Sequence, residues 1–252
     1  VRPGRSGLSR GLELRVGLAT LLGLDEHPGE LAGWGYLPPD EARRIATDAH
    51  GIGAEWRYVL HTPDGHWAGD GTTRHRPTHT GPRGVAVKGT ILELTIPLSM
   101  LDDPDLRAQH PAWAGLLDDL AQQHHSGHAT GRAPQDTAVR FPSRPTRRRV
   151  QTRLRHCAFP GCRAPATSCD LDHEIDWAKT HHTAEEGLAP ACRHDHMAKT
   201  ERGWHLQRID QNTLRWTSHR GRTYTVALEP VAPPLPAPIM KHAEADDPDP
   251  PF

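Results

Sequence analysis

The sequence predicts an α+β protein: a loop-rich α/β fragment, then a small metal-stabilised unit that ends in a β-meander. Three observations carry this. All four cysteines fall between Cys157 and Cys192, strand-like apolar alternation recurs towards both ends of the chain, and helical stripes lie between the two stretches. The composition agrees, with 35% hydrophobic residues against 23 glycines and 24 prolines. Such a chain folds as compact pieces joined by loops.

Residues 1–76 read as a small mixed fragment. Leu12, Leu14, Val16 and Leu18 alternate as in a strand, and breakers at Pro28, Gly29, Gly33 and Gly35 follow. Pro39 opens a short helix in PDEARRIATDA, with proline in the first turn. Trp56, Tyr58 and Leu60 then alternate into a Pro63-Asp64-Gly65 turn. Residues 77–143 form a middle segment and linker: VAVKGTILELTIPL predicts a strand pair broken at Gly89, and Leu106, Trp113, Leu116, Leu117 and Leu120 make a helical stripe. Residues 144–229 begin with a basic helix, continue through the cysteine-rich run and close with three strands that pack Trp204, Leu206, Leu214, Trp216 and Tyr224. Residues 230–252 are proline-rich and then acidic, a composition that predicts a disordered tail.

Thirty basic residues against thirty-one acidic ones leave a net charge of −1, so total charge does not point to nucleic acid. Local clustering does. Arg147, Arg148, Arg149, Arg153 and Arg155 concentrate positive charge just before the first cysteine, where phosphate contact is expected. No stretch approaches the roughly 20 apolar residues of a membrane span, and VRPGRSGLSRG lacks the apolar core of a secretory signal, so a cytoplasmic protein is predicted. In a reducing compartment, clustered cysteines favour metal thiolates over disulfides.

Cys157 and Cys162 form a C-x4-C knuckle, and Cys192 returns thirty residues later. Three sulfurs of a tetrahedral zinc site are thereby identified, and the fourth ligand is left open. Cys169 reads as a core residue and Asp170 as a supporting or capping carboxylate. His181 and His182 read as solvated.

The run of CAFPGC, CDLDH, Asp176-Trp177, LAPACR, Lys199-Thr200, GW and WTSHRGRTYT resembles the HNH endonuclease domains that end many actinobacterial proteins. In those proteins an N-terminal domain of unknown function comes first, and LATLLGLDEHPGELAGWGYLP is similar to its closing part. The resemblance implies a ββα-metal fold and hydrolysis of DNA phosphodiester bonds. Asp172 and His196 would hold one divalent cation (Mg, Mn or Zn), and His173 would be the general base. Cys157, Cys162 and Cys192 would bind a structural zinc, with Asp195 or His194 closing the site. Asp195 stands where the family has histidine or cysteine. Arg147, Arg148, Arg153, Arg193 and Lys199 are the expected phosphate contacts, Lys199 lying one turn from His196. Gly187 stands where the family has the asparagine that orients the base. That departure implies an alternative: a catalytically impaired, zinc-stabilised nucleic-acid-binding or structural remnant.

Overall fold

The computed structural model describes residues 11–50, 53–78, 89–127, 138–210 and 212–235. It is a mixed α+β chain with two hydrophobic cores. The first surrounds a six-stranded sheet. Strand β1 (Glu13–Gly17) runs into a one-turn helix α1 (Leu18–Leu21), the short strands β2 (Gly29–Leu31) and β3 (Gly35–Leu37), and helix α2 (Pro39–Asp48). Strands β4 (Glu55–His61), β5 (Trp67–Thr73) and β6 (Ile91–Pro97) follow, then helices α3 (Leu98–Leu101), α4 (Pro104–Gln109) and α5 (Pro111–His125). The strand order is β3-β2-β1-β6-β4-β5, with β1, β6 and β4 parallel in the centre.

Side-chain alternation explains the two faces of this sheet. In register, Leu14, Leu92 and Trp56 lie side by side, as do Val16, Leu94 and Tyr58. These residues are at most 2% exposed and pack against Ala42 and Ala46 of α2 and Leu116, Leu117 and Leu120 of α5. The opposite face carries a charged row, Arg15 beside Glu93 beside Arg57. All three are nevertheless buried, because the second half of the chain covers that face.

This architecture corrects the expected division at residue 76. Residues 91–97 supply the strand between β1 and β4, so the middle segment belongs to the same unit as residues 11–73. Of the expected strand pair around Gly89, the second half is β6 and the first lies outside the described residues. Among the described residues of 13–125, six strands and five helices are placed. The single helical stripe is two helices, broken where His110 meets Pro111.

The second core, built on Val150, Leu154, Leu171, Leu188, Leu214 and Trp216, organises the C-terminal half. Helix α6 (Arg144–Arg153) leads through a cysteine turn to a hairpin of β7 (Asp170–His173) and β8 (Leu188–Ala191), with the short helix α7 (Trp177–Thr180) between them. Helix α8 (Arg193–Glu201) follows at once, then the meander β9 (His205–Asp210), β10 (Thr213–Thr217) and β11 (Thr223–Ala227), ordered β11-β10-β9. Trp216 is fully buried and donates its indole N–H to the Ala158 carbonyl at 2.7 Å, tying the meander to the cysteine turn. Tyr224, expected in the core, is 39% exposed on an outer strand, its ring 5.7 Å from Trp204.

The two halves meet across charged groups that satisfy one another. Arg155 donates to Glu93 at 2.8 Å, Arg15 donates to the Arg155 carbonyl at 3.2 Å, and Thr167 donates to Glu13. Glu30 joins them: burial works to raise its pKa, but a hydrogen bond from His156 and the charges of Arg15 and Arg155 prevail and hold it at about 2. Residues 230–235, expected to be disordered, return to the first unit, where Val231 and Leu235 donate to the carbonyls of Gly65 and Pro63 at 2.9 and 2.8 Å. Gly65 is needed there: its φ is +79°, and a Cβ would stand 2.0 Å from the Ala232 oxygen. The rest of that predicted tail, residues 236–252, lies outside the described residues.

Candidate metal centre and hairpin site

The cysteine turn forms because Gly161, at φ +75°, reverses the chain between Cys157 and Cys162. Cys157 N–H donates to the Ala164 carbonyl and Cys162 N–H to the Phe159 carbonyl, which closes the loop. Cys192 occupies the N-cap of α8, and Asp195 sits in its first turn, where the helix dipole favours a negative charge. One ligand atom from each of Cys157, Cys162, Cys192 and Asp195 lies within 4.8 Å of the others. Two ~2.3 Å zinc–sulfur bonds at the tetrahedral angle put their sulfurs about 3.8 Å apart, so with a small contraction the group could hold a metal ion.

The geometry decides between Asp195 and His194. Asp195 is buried and its Oδ2 accepts from the thiols of Cys192 and Cys157 at 3.0 and 3.3 Å. His194 is 73% exposed and touches only the outer oxygen, Asp195 Oδ1, at 2.7 Å. Burial, with Asp195 beside them, pushes the thiols of Cys162 and Cys192 up to about 11 and about 12, and Cys157 is raised as well by its hydrogen bond with Cys169 and by burial. One buried and two half-buried thiols around a carboxylate are poor anions alone and good ligands for a cation. Cys169 is buried against the Pro165 carbonyl, 3.3 Å from its sulfur, and stays outside the group.

A second constellation spans the hairpin and α8. Asp170 and Asp172 alternate onto the strand face that meets the helix. His196 Nδ1 is 3.0 Å from Asp170 Oδ2, and its Nε2 is 3.5 Å from Asp172 Oδ1. A carboxylate on one ring nitrogen that aims the other is how ligating histidines are oriented. Asp172 is 7% exposed; its Oδ2 is buried and accepts no hydrogen bond, although the Lys199 ammonium is 3.2 Å away. The Asp172 carboxylate is thus shared between the His196 imidazole and the Lys199 ammonium, which is its charge partner among the described residues.

His173 lies on the other strand face, with Nε2 2.8 Å from the Thr183 hydroxyl. That hydroxyl donates to the Arg140 carbonyl at 3.3 Å. When its proton goes to the Arg140 carbonyl, the hydroxyl accepts from His173 Nε2–H, which leaves the Nδ1 lone pair as the basic position. Burial, joined by Lys199 and Arg140, lowers the His173 pKa below the ordinary 6.5 against the pull of Asp172 and Asp176. Gly187 offers His173 no side chain; its carbonyl accepts from Glu174 N–H at 2.8 Å.

The expected phosphate contacts divide. Arg193 is exposed, 3.8 Å from Asp170. Lys199 is turned inward instead, donating to the His173 carbonyl at 2.7 Å and pairing with Asp172 and Asp176, because its long side chain folds back over the hairpin. Arg153 is likewise occupied, pairing with Glu185 at 3.2 Å and covering the Trp67 ring at 5.2 Å. Arg147 and Arg148 line an open groove. Thr183 and Arg140 carried no signal in the sequence: a threonine in a polar loop and an arginine before a helix fit no ligand spacing.

Over 100 residues the chain is 38% identical to the uncharacterised proteins Rv2100 and MT2160 of Mycobacterium tuberculosis (strains H37Rv and CDC 1551), covering 37% of this chain and 18% of each relative. A further uncharacterised protein of the H37Rv strain, Rv3776, is 37% identical over 79 residues, which is 30% of this chain and 15% of that one. The chain thus spans less than a fifth of the length of these relatives. No family model and no solved structure matches it. Among the described residues, no helix is long and apolar enough to cross a membrane.

Proposed function

We propose that the hairpin and α8 form a metal-dependent HNH-type endonuclease that hydrolyses DNA phosphodiester bonds, and that the cysteine group binds structural zinc. The observation that carries this reading is the buried Asp172 carboxylate, 3.5 Å from His196 Nε2 and one residue from His173, whose ring is held by the Thr183 hydroxyl. Asp172 and His196 Nε2 would hold the catalytic cation, which supplies charge neutralisation at the scissile phosphate and at the leaving oxygen. His173 takes the proton of the attacking water at Nδ1, and its lowered pKa keeps that nitrogen unprotonated at neutral pH. Thr183 does for this histidine what the absent asparagine at Gly187 does in the family. Lys199 braces the Asp172 carboxylate against the His173 carbonyl.

The test is nicking of supercoiled plasmid with magnesium or manganese. Purified protein relaxes the plasmid, and His173→Ala does not. Intact plasmid with every divalent metal tried overturns the reading. The Lys199–Asp172 ion pair and Gly187 favour a second reading, a zinc-stabilised nucleic-acid binder without turnover, because the ammonium competes with a cation for the carboxylate. Salt-sensitive DNA binding with no nicking is the outcome that selects it.

A further inference from the structure

A groove of about 580 Å³ runs between the first turns of α6 and the β4–β5 end of the six-stranded sheet. Arg57, Arg74 and Arg76 line it from the sheet, and Arg144, Arg147 and Arg148 from the helix. Against these six arginines stands one carboxylate, Glu55, already paired with Arg57 at 2.7 Å. Arg76 is fixed in place: its guanidinium donates to the carbonyls of Thr73 and His75 and lies 4.7 Å over the Trp56 ring. Arg74, Arg144 and Arg147 form no ion pair among the described residues, and the buried Nε of Arg148 has no hydrogen-bond partner.

Folding alone does not favour this arrangement. Cations belong at the end of a helix, and like charges three or four residues apart repel. Yet Arg144, Arg147 and Arg148 crowd the start of α6, where the first turn holds no acidic residue. An anion in the groove relieves both penalties.

We propose that this groove binds the phosphate backbone of duplex DNA, with the N-terminal sheet unit supplying half of the binding surface. Duplex is favoured over single-stranded nucleic acid by the lining. Single strands are held by stacking bases on open aromatic faces, and the aromatic residue here, Trp56, is 2% exposed and capped by Arg76. Position links the groove to the hairpin site. Arg140 accepts the Thr183 hydroxyl that holds His173, and Arg144 follows four residues later. Those four residues reach at most about 14 Å, about four base pairs of duplex rise, so the edge of the groove and the Thr183 clamp on His173 lie within the footprint of one duplex. Binding there does not depend on cleavage, although its use as a substrate track rests on the nuclease reading.

The test uses the full chain and a short fluorescent duplex, with anisotropy read across a salt series and no added divalent cation. The double variant Arg74→Glu with Arg147→Glu is compared with Arg220→Glu, an exposed arginine outside the groove. The groove variant binds about tenfold more weakly at low salt, and its slope of log affinity against log salt is shallower by about 2. Arg220→Glu retains the slope. Equal behaviour of the two variants overturns the proposal, and tighter binding of a single strand of the same length overturns the duplex assignment. Near-UV circular dichroism checks folding; if the glutamate pair unfolds, Arg74→Gln with Arg147→Gln carries the same slope measurement. Plasmid nicking is followed in parallel. Nicking with groove-independent binding removes the groove and leaves the nuclease, whereas groove-dependent binding without nicking removes the nuclease and leaves the groove.

Discussion

Replacing Thr183 with valine keeps the shape of a buried side chain and deletes one oxygen. Thr183 is 5% exposed, so the hydroxyl is not replaced by water without disturbance. Two hydrogen bonds go: the 2.8 Å contact with His173 Nε2 and the longer 3.3 Å contact with the Arg140 carbonyl. At a net ~0.5–1.5 kcal/mol each, with the longer one at the low end, the loss in stability is about 1–2 kcal/mol, read from urea unfolding. On the nuclease reading proposed above, the nicking rate falls separately, because His173 loses the hydroxyl that holds its ring and is then free to turn. A positioned general base contributes roughly 100- to 10 000-fold, and losing that hold costs about 10- to 100-fold of this in the nicking rate. In a His173→Ala background the same substitution has no nicking left to lower and costs stability only through the Arg140 contact. Gly187→Asn fits without strain, since a Cβ there meets no atom within 4 Å, and it restores part of the lost rate. Wild-type nicking by Thr183→Val, accompanied by the full stability loss, would assign the hydroxyl to packing alone and refute the positioning argument.

Asp70 is raised to about 6, chiefly by burial, with Glu185 and Glu93 adding to it against Arg149 and Arg148. A carboxyl whose pKa rises on folding contributes stability below its unfolded value of 3.8 that is lost as pH climbs through 6. Asp70→Asn therefore raises the unfolding midpoint at pH 7.5, by the equivalent of about 2–3 kcal/mol, and leaves it unchanged at pH 4; an equal shift at both pH values refutes the assignment. Glu30 works in the opposite window: held at about 2, it contributes stability above 4.5 that is lost as pH falls through 2, so Glu30→Gln costs ~2 kcal/mol at pH 7, allowing for its partial exposure, and little at pH 2. Elemental analysis finds one tightly held zinc per chain, absent from Asp195→Ala, and chelation lowers the unfolding midpoint of the residues after Cys157. Metal-free protein with an undiminished midpoint would remove the structural metal.

Much of the second unit was legible because its signals are local. A C-x4-C turn, an Asp-His strand and a helix starting at Cys192 are each set by neighbours in sequence, and the cysteine group formed as spaced. The N-terminal sheet was not legible as a whole. Its strands were visible from Leu14-x-Val16 and Trp56-x-Tyr58-x-Leu60, but β6 joins them from over thirty residues away, and alternation reports a face without naming a partner strand. Alternation also misreports exposure here: Arg15, Arg57 and Glu93 look solvated and are buried by a unit that begins fifty residues after Glu93. Asp195 prevailed over His194 through helix phase, which one residue of sequence cannot resolve. Lys199 looked like a phosphate contact at helical spacing and turned inward, because spacing fixes which turn a side chain leaves from, not where its end goes.

The return of residues 231–235 to the β4–β5 turn sets how the molecule bears load. Tension applied beyond residue 235 reaches the Leu235–Pro63 and Val231–Gly65 hydrogen bonds before it reaches β11, so the pull is delivered to the sheet unit at a turn. The metal turn and the hairpin, which sit earlier along the chain, are shielded from it until that clip gives way. Gly65 is the weak link by which this strain relief is made or lost: any side chain there must displace the Ala232 carbonyl, and the force then passes straight into the meander.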